Sequence, residues 1–359
     1  MEGWQETAQI LARMADLAAA GERSAVATVV RIQGSAYRRP GAKFLVEGNG
    51  STVGSVSGGC LEADVREVAW ATIREGRARL CHYETGEESN RVWGLGLGCN
   101  GSVDVFVQPE NTMADTARIL QLLDGETAFA VSTIVKGTSQ VGRMLVVIAG
   151  NALGGPRGDD GPDQELTQRT IHFPANGKSQ LHEIASLQVF TEIYTPPPHL
   201  IVCGAGDDSI PLVAYASDAG FRVTVVDHRS AFLSKQRFRG ARRLLQLRPE
   251  DNLSALPLGP RTYVVVKMHS LAHDREWIRH LLPTDVPYLG LLGPRARKEV
   301  ILRDIGMVAA DRVFGPVGLD LGAEGPTQVA LSVLAELLAV RAAREPGHLC
   351  EKEGPIHAT

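Results

Sequence analysis

The stretch from residue 199 to Asp227 constrains the fold more than any other part of this 359-residue chain. It contains a short apolar segment, the turn Gly204-Ala205-Gly206, a helical pattern and a second apolar segment that ends at Asp227. A strand, Gly-x-Gly, a helix and an acidic residue about 20 residues further on form the context of the dinucleotide-binding fingerprint. Further strands are predicted at 263–267 and 287–291. This half is therefore predicted to be a Rossmann-like, doubly wound parallel sheet.

The residues that follow Gly206 disfavour the binding of a dinucleotide. Asp207 and Asp208 follow Gly206, and two carboxylates in a phosphate-binding turn repel a pyrophosphate. Ser209 stands where the fingerprint usually has its third glycine, and a serine still permits fairly close helix–strand packing. Nucleotide binding therefore stays open, because a fold does not imply a function. If NAD(P) or another nucleotide binds, the expected contacts are Gly204, Gly206 and Asp227.

Two further residues are candidates at the ligand edge of this half. His269 follows the strand predicted at 263–267, and parallel sheets bind ligands at the carboxyl ends of their strands. A lone histidine without a ligand is the alternative. Glu324 precedes the last helical pattern, where it either caps the helix or faces the cleft.

In the amino-terminal half, the run Gly54-Ser55-Val56-Ser57-Gly58-Gly59-Cys60 leads directly into a helical pattern that begins at Leu61. Such a turn places free backbone N–H groups at the positive end of a helix, where an anion is stabilised. A cysteine at a helix start is favoured in its reactive thiolate form. The alternative is a small cysteine that only packs. The candidate cofactor contacts are Ser57, Gly58, Gly59 and Cys60, with Cys60 as the reactive group.

Two other segments of this half are candidate contacts. The glycine-dense run 94–101 includes Gly98 and Cys99, although no helical pattern follows Cys99, so its claim is weaker than that of Cys60. Arg38 and Arg39 lie in an irregular loop and are suited to binding a phosphate or pterin-type anion through bidentate hydrogen bonds. A solvated pair of arginines is the alternative for that loop.

Composition excludes several classes of protein. The net charge of −4 argues against nucleic acid as a partner. No apolar run approaches the roughly 20 residues of a membrane helix, and the acidic start lacks a signal-peptide pattern. Five scattered cysteines without a CxxC pair indicate neither a disulfide framework nor a zinc site. We therefore expect a cytoplasmic protein with reduced thiols, no metal site and no membrane contact.

The run Pro196-Pro197-Pro198 predicts a boundary between two domains, because three prolines form a stiff linker. Residues 1–195 are expected to form an α+β domain with glycine-rich turns, in which the pattern of 111–195 is less readable. Residues 196–345 are expected to form the Rossmann-like domain, and 346–359 a tail. The predicted fold class is α/β.

Several of these motifs, in this order, resemble the XdhC/CoxI family, and the resemblance covers nearly the whole chain except about residues 110–195. The first group is amino-terminal: Gly34-Ser35, Arg38-Arg39-Pro40-Gly41, the turn from Gly54 to Cys60 and the run from Gly94 to Cys99. The second group resembles the family's Rossmann-like domain: Gly204-Ala205-Gly206, the segment 225–229, the segment 288–293 and the segment 318–324.

This resemblance implies a maturation factor for molybdenum hydroxylases such as xanthine dehydrogenase, more a cofactor-binding chaperone than an enzyme. Family members are held to bind the molybdenum cofactor (molybdopterin), protect it while its terminal sulfur is installed, and deliver it to the apo-enzyme. Cys60 would then contact the cofactor or handle the sulfur, and the glycine turns with Arg38 and Arg39 would hold the pterin phosphate. The implied partners are an apo-molybdenum hydroxylase and a cysteine desulfurase. A homodimer is expected because symmetric pairs are the commonest oligomers.

Two functions from other classes remain as alternatives. One is an NAD(P)-dependent oxidoreductase that uses the second domain, with His269 or Lys267 as acid or base. The most distinctive motifs lie outside that domain, which favours the maturation factor. The other is a regulatory module that only senses a nucleotide, which would leave Cys60 without a role.

Overall fold

The computed structural model describes residues 2–34, 37–84, 101–113, 115–137, 140–148, 151–153, 177–184, 186–351 and 353. They divide into two compact units, Met1–Pro196 and Pro197–Thr359. Among the described helices, none is both long enough and apolar enough to cross a membrane.

The described residues of the first unit form two antiparallel sheets, each of five strands, and three α-helices. The first sheet has the order β3-β2-β1-β5-β4, and the second has the order β8-β7-β6-β10-β9. The helices are α1 (Glu2–Ala19), α2 (Glu62–Glu75) and α3 (Thr116–Asp124). The strands are β1 (Ser24–Gly34), β2 (Lys43–Glu47), β3 (Thr52–Gly54), β4 (Arg79–Glu84), β5 (Gly101–Pro109), β6 (Phe129–Lys136), β7 (Met144–Ile148), β8 (Asn151–Leu153), β9 (Gln180–Ile184) and β10 (Leu187–Tyr194).

Alternation along β1 gives the first sheet two buried faces. Ala25, Ala27 and Val29 pack with Val65 and Ala69 of α2 on one face. The intervening side chains face α1, α3 and strands of the second sheet. Because a strand exposes successive side chains to opposite faces, a run of apolar residues such as that in β1 serves both cores. Helix α2, which carries the candidate turn at its start, is therefore fixed by the sheet beneath it.

Helix α2 and the hairpin before it form where local sequence specifies them. Gly76 ends α2 in the left-handed conformation (φ +66°), and its N–H donates to the carbonyl of Thr72, as glycine does at helix ends. In the β2–β3 connection, Gly50 takes a φ of +94°, and Asn49 accepts a hydrogen bond from the Ser51 N–H at 2.8 Å. Gly54 is the last residue of β3, so this hairpin positions the start of the candidate turn.

The second unit contains one parallel sheet of six strands with the order β13-β12-β11-β14-β15-β16. Its strands are β11 (His199–Cys203), β12 (Arg222–Asp227), β13 (Ala241–Gln246), β14 (Thr262–Val266), β15 (Tyr288–Leu291) and β16 (Val313–Phe314). Its helices are α4 (Ile210–Asp218), α5 (Leu271–Leu281), α6 (Arg295–Asp304) and α7 (Gly325–Arg341). Counted within the unit, the strand order is 3-2-1-4-5-6, the doubly wound order of dinucleotide-binding folds.

Helices cover both faces of this sheet. The side chains of α4 and α7 pack with Leu200 and Val202 on one face. Those of α5 and α6 pack with Ile201 and Cys203 on the other. A strand buried on both faces must be apolar throughout, as β11 is after its first residue. The predicted mixed α/β class with a Rossmann-like parallel sheet is confirmed.

Candidate functional site

The candidate turn of the first unit starts where β3 crosses close to β2. At Gly54 (φ +83°), an added Cβ would lie 2.4 Å from the Lys43 carbonyl oxygen, so only glycine fits. The chain then runs irregularly until α2 begins at Glu62. Cys60 immediately precedes the N-cap residue Leu61, so it stands one residue outside the helix rather than in its first turn.

Ser57 and Glu62 close this turn onto itself. The hydroxyl oxygen of Ser57 accepts hydrogen bonds from the N–H groups of Gly59 (3.2 Å) and Leu61 (3.1 Å) and donates to the Glu62 carboxylate. Oε1 of Glu62 accepts from the N–H groups of Ser57 (2.9 Å) and Val56 (3.2 Å). Burial acts to raise the pKa of Glu62, but these hydrogen bonds outweigh it and lower the pKa below its usual value. Ser57 and Glu62 therefore shape the turn from within.

The centre of the turn remains open. Gly58 and Gly59 are exposed, and Gly59 takes a φ of +110°. Among the described residues other than Gly59 and its chain neighbours, no heavy atom lies within 4 Å of where its Cβ would be. Among the described residues, no group accepts a hydrogen bond from the N–H of Gly58 or Cys60. Cys60 is a free, half-buried cysteine packed at the edge of the α2 core. A half-buried free cysteine thus lies next to two backbone N–H donors.

The loop after β1 lies against this turn. The ring of Tyr37 would be 3.9 Å from a Cβ added to Gly58, and the residue is 81% exposed. Arg38 is paired with Glu6 of α1, and both side chains are largely buried. Arg39 is exposed. The two predicted arginines therefore differ, since Arg38 ties the loop to α1 while Arg39 is exposed to solvent.

The second glycine-dense run, with Gly98 and Cys99, lies outside the described residues. Gly101, where it ends, begins β5 and packs tightly against β1, because an added Cβ would lie 2.0 Å from the Gln33 carbonyl oxygen.

In the second unit, the structure brings Gly204, Gly206, Asp227 and His269 to one edge of the sheet. Gly204 (φ +123°) crosses β14 so closely that an added Cβ would lie 2.4 Å from the Lys267 carbonyl oxygen. Ser209 donates to the Gly204 carbonyl at 2.7 Å, so its hydroxyl occupies the space of the usual third glycine. His269 follows β14, with Nε2 3.0 Å from Asp208 Oδ2.

Asp227 is buried and fully hydrogen-bonded. Its carboxylate accepts the N–H of Ala205 (2.8 Å) and three donors of Arg229, the backbone N–H (2.8 Å), Nε (2.9 Å) and Nη2 (2.8 Å). Burial acts to raise the pKa of Asp227, but these hydrogen bonds and the charge of Arg229 prevail and lower it to about 2. A carboxylate has about four accepting positions, so in this geometry none is left for a ribose hydroxyl.

Glu324 occupies the N-cap position of α7, but its side chain makes no capping hydrogen bond and is exposed. Among the described residues, no cluster of three or more His, Cys, Asp or Glu side chains is arranged to hold a metal ion.

Comparison with known proteins places this geometry in a family. Residues 17–84 match the model of the XdhC and CoxI family, and residues 200–337 match that of the XdhC Rossmann domain. The chain is 33% identical over 324 residues to a probable xanthine dehydrogenase subunit of Bacillus subtilis, covering 89% of this chain and 94% of the relative. The chain belongs to the XdhC and CoxI family. The resemblance identified from the sequence motifs is confirmed.

Two further similar proteins carry different descriptions. The molybdenum cofactor insertion chaperone PaoD of Escherichia coli is 23% identical, over 90% of this chain and 86% of PaoD. A Bacillus halodurans crystal structure described as a xanthine dehydrogenase matches with a TM-score of 0.77 and 28% identity, covering 96% of this chain and 98% of that one.

In this XdhC/CoxI chain, sequence reasoning did not single out three side chains that shape the site. Glu62 had a usable signal, because an acidic residue in the first turn of a helix commonly accepts hydrogen bonds from free N–H groups. Tyr37 and Glu6 had none, since their roles depend on where the loop and α1 lie in space.

Proposed function

We propose that this chain is a maturation factor that binds the molybdenum cofactor in its first unit and delivers it to a xanthine dehydrogenase-type molybdoenzyme. The observation that carries the proposal is the open turn Gly58-Gly59-Cys60, in which two backbone donors adjoin a half-buried free thiol. The family membership, and a relative named as a molybdenum cofactor insertion chaperone, support the same role.

The chemistry of the cargo suits this turn. Molybdopterin carries a phosphate and soft dithiolene sulfurs, which call for N–H donors and a soft neighbour respectively. The N–H groups of Gly58 and Cys60 would hold an anionic group of the cargo, and the exposed Arg39, two residues after Tyr37, would supply a counter-charge. The Cys60 thiol would lie against the sulfur-rich end. The exposed ring of Tyr37 would offer a face on which a planar pterin can stack.

Protection and sulfuration are part of the same proposal. Cys60 would hold the cargo at a defined position while a cysteine desulfurase supplies the terminal sulfur. The Ser57–Glu62 hydrogen bonds would keep the turn in shape before loading, so that little ordering is needed on binding.

The first test compares cofactor retention after anaerobic mixing of purified chain with molybdenum cofactor, followed by gel filtration. Cys60→Ser should weaken retention about tenfold or more, equivalent to about 1.4 kcal/mol. Cys81→Ser is the matched control, because Cys81 is also half-buried and free but lies on β4. Equal retention by Cys60→Ser and the unaltered chain would overturn the assignment of the site. Failure of the unaltered chain to retain cofactor would overturn the function.

A second test addresses delivery. Chain loaded with cofactor should activate an apo-molybdenum hydroxylase faster than the same concentration of free cofactor, and addition of a cysteine desulfurase with cysteine should increase the yield of active enzyme. Equal rates with and without the chain would contradict delivery.

The oxidoreductase alternative has less support in this geometry. The acidic residue that would bind a dinucleotide ribose, Asp227, already accepts four hydrogen bonds from its own unit.

A further inference from the structure

The first unit contains a groove of about 540 Å³ on the face of its first sheet that is turned away from α2. Leu80, Val135 and Val141 form its apolar wall and pack with the buried rings of Phe106 and Phe190. Its charged and ionisable lining comes from described residues of four strands, Arg31, His82, Asp104 and Lys136. Ligand sites commonly enclose about 300–1,000 Å³ and combine apolar walls with a few convergent polar groups. The groove therefore has the size and the lining of a ligand site.

Strand register places three of these side chains in one row across the sheet. Asp104 of β5 pairs with Arg31 of β1 on one side and with His82 of β4 on the other. Regular alternation would give Arg31 the same face as Val29, which packs against α2. A β-bulge between Val29 and Arg31 shifts the register, so that Arg31 reaches Asp104 on the groove face. Bulges commonly re-aim a side chain in this way beside functional sites.

Asp104 fixes the orientation of both neighbours. It is buried, its Oδ2 accepts a hydrogen bond from Arg31 Nε at 2.7 Å, and its Oδ1 lies 2.5 Å from His82 Nδ1. Because an ionised carboxylate only accepts hydrogen bonds, Nδ1 carries the hydrogen of the imidazole, and in the neutral ring Nε2 is then an acceptor. The lining therefore presents an acceptor at His82 and guanidinium donors at Arg31.

Four polar groups of this lining make no hydrogen bond to the part of the chain that the structure describes: Nη1 and Nη2 of Arg31, Nε2 of His82 and Nζ of the exposed Lys136. Oε1 of the exposed Glu84 lies 3.9 Å from His82 Nε2, which is beyond hydrogen-bond distance. A row of ion pairs that served only to join three strands would account for neither the lysine nor the apolar wall beside it. The free groups and the wall together point to a ligand.

We propose that this groove binds an organic acid with a carboxylate at one end of an apolar body and a hydroxyl group at the other. The Nη groups of Arg31 and Nζ of Lys136 hold the carboxylate, His82 Nε2 accepts from the hydroxyl, and the body packs on the apolar wall. Two cations against the single carboxylate of Asp104 leave the lining with a net positive charge, which suits a monoanion. Arg31 and His82 lie two strand positions apart in the sheet, which is roughly 10 Å, so the polar ends of the ligand are expected at a similar separation.

Lys178 provides a matched control for Lys136. It is an exposed lysine of the same unit that lies just before β9 and does not line the groove. Substituting either lysine by glutamine removes one positive charge from the surface, but only Lys136→Gln removes a proposed ligand contact. A general change of surface charge would therefore act equally in both variants.

The test is equilibrium dialysis of the full chain against 6-hydroxy-2-naphthoate at neutral pH and fixed ionic strength. Replacing the carboxylate of this ligand by a neutral amide, as in 6-hydroxy-2-naphthamide, should weaken binding about tenfold or more, because it removes the charge that Arg31 and Lys136 attract. Lys136→Gln should weaken binding of the acid about threefold or more, whereas Lys178→Gln should change it less than about 1.5-fold. Absence of binding by the unaltered chain, equal affinity for acid and amide, or equal effects of the two lysine variants would overturn the proposal.

The contribution of His82 has a separate readout. The unaltered chain should bind 6-hydroxy-2-naphthoate about threefold or more tighter than 2-naphthoate, and His82→Phe should abolish this preference, because a phenyl ring offers no acceptor to the hydroxyl. A substitution that merely loosened the strands would weaken both ligands alike and keep the preference, which would contradict the assigned contact. Cofactor retention should be normal in Lys136→Gln, since Cys60 packs with α2 on the other face of the sheet. Failure of this site and failure of the proposed cofactor binding are therefore distinguishable.

Discussion

The two glycine-containing turns of this protein each hold a carboxylate of the chain itself, but with different kinds of donor. Each joins a strand to a helix, and in each a carboxylate from the chain itself lies among the donors of the turn. In the first unit, Glu62 accepts from neutral backbone N–H groups and a serine hydroxyl. In the second, Asp208 is held by the side chains of Lys267 and His269.

This difference determines what a ligand must do at each turn. The neutral contacts of Glu62 leave the N–H groups of Gly58 and Cys60 without partners among the described residues, so an anion bound there would break none of the described contacts. The contacts of Asp208 use Lys267 and His269, the same side chains that an anionic ligand would need. An anion at the first turn would therefore leave the described contacts in place, whereas at the second it would first have to break an internal ion pair.

The largest loss of stability is expected from substitution of Asp227, whose carboxylate holds the turn Gly204-Ala205-Gly206 through the N–H of Ala205. Asp227→Asn should lower the free energy of unfolding of the second unit by about 3 kcal/mol, since a buried carboxylate with four donors is replaced by an amide that presents N–H groups to them. Urea denaturation combined with hydrogen exchange of peptides from 199–227 measures this. Asp218→Asn, at an exposed position on α4, should stay within about 0.5 kcal/mol. Equal losses in the two variants would show that Asp227 does not stabilise the turn.

The free energy of unfolding of the second unit should also depend on pH, because folding lowers the pKa of Asp227. The pKa of Asp227 is lowered to about 2 in the folded chain, from a value of 3.8 for an unperturbed Asp. The resulting stability, about 2 kcal/mol, is fully present above pH 4 and is lost as the pH falls toward 2, where the folded carboxylate is protonated. Denaturation midpoints measured between pH 5 and 2 should fall less in Asp227→Asn than in the unaltered chain. Parallel curves would contradict this.

In the first unit, Ser57 holds the turn before α2 through its hydrogen bonds with Gly59, Leu61 and Glu62. Ser57→Ala removes an acceptor for two N–H groups and a donor to Glu62, so the first unit should lose about 1–2 kcal/mol. The amides of Gly59 and Leu61 should exchange faster, and cofactor retention should fall. Ser55→Ala, two residues earlier in the same turn, is the control. If exchange at Gly59 is unchanged, the serine does not hold the turn.

The smallest effect concerns Tyr37. Tyr37→Leu should weaken cofactor retention about threefold, because an aliphatic side chain lacks the face for stacking, while Tyr37→Phe should retain the cofactor normally. The same anaerobic retention assay measures both. An equal loss in Tyr37→Phe and Tyr37→Leu would indicate that the hydroxyl is the contact, not the ring.

The parallel sheet was predictable because its information is local. The strand β11 is an apolar run, and Gly204 with Asp227 at its known spacing identified the connection to β12. The second sheet of the first unit was only partly predictable. Strand β10 buries Thr191 and Glu192 among its apolar residues, and Glu192 is tolerated because it pairs with the buried Lys43 of β2. No local pattern reveals a partner 149 residues away.

In the candidate site, too, local features could be predicted from the sequence, whereas contacts between distant residues could not. Small residues before a helix identified Ser57 to Cys60, because free N–H groups follow from the local geometry. The separation of Arg38 from Arg39 was not predictable, since the two are adjacent and identical in type, and only the position of Glu6 on α1 distinguishes them.

That pairing has a practical consequence for handling the protein. Helix α1 begins at Glu2, and its buried Trp4 donates to the Leu123 carbonyl at 2.8 Å. Two residues further on, Glu6 pairs with Arg38 in the loop that also carries Tyr37 and Arg39. A purification tag fused at Met1 would therefore be attached five residues before Glu6, the residue that holds this loop. A carboxy-terminal tag avoids this, and a difference in cofactor retention between the two tagged forms would report directly on how firmly α1 positions that loop.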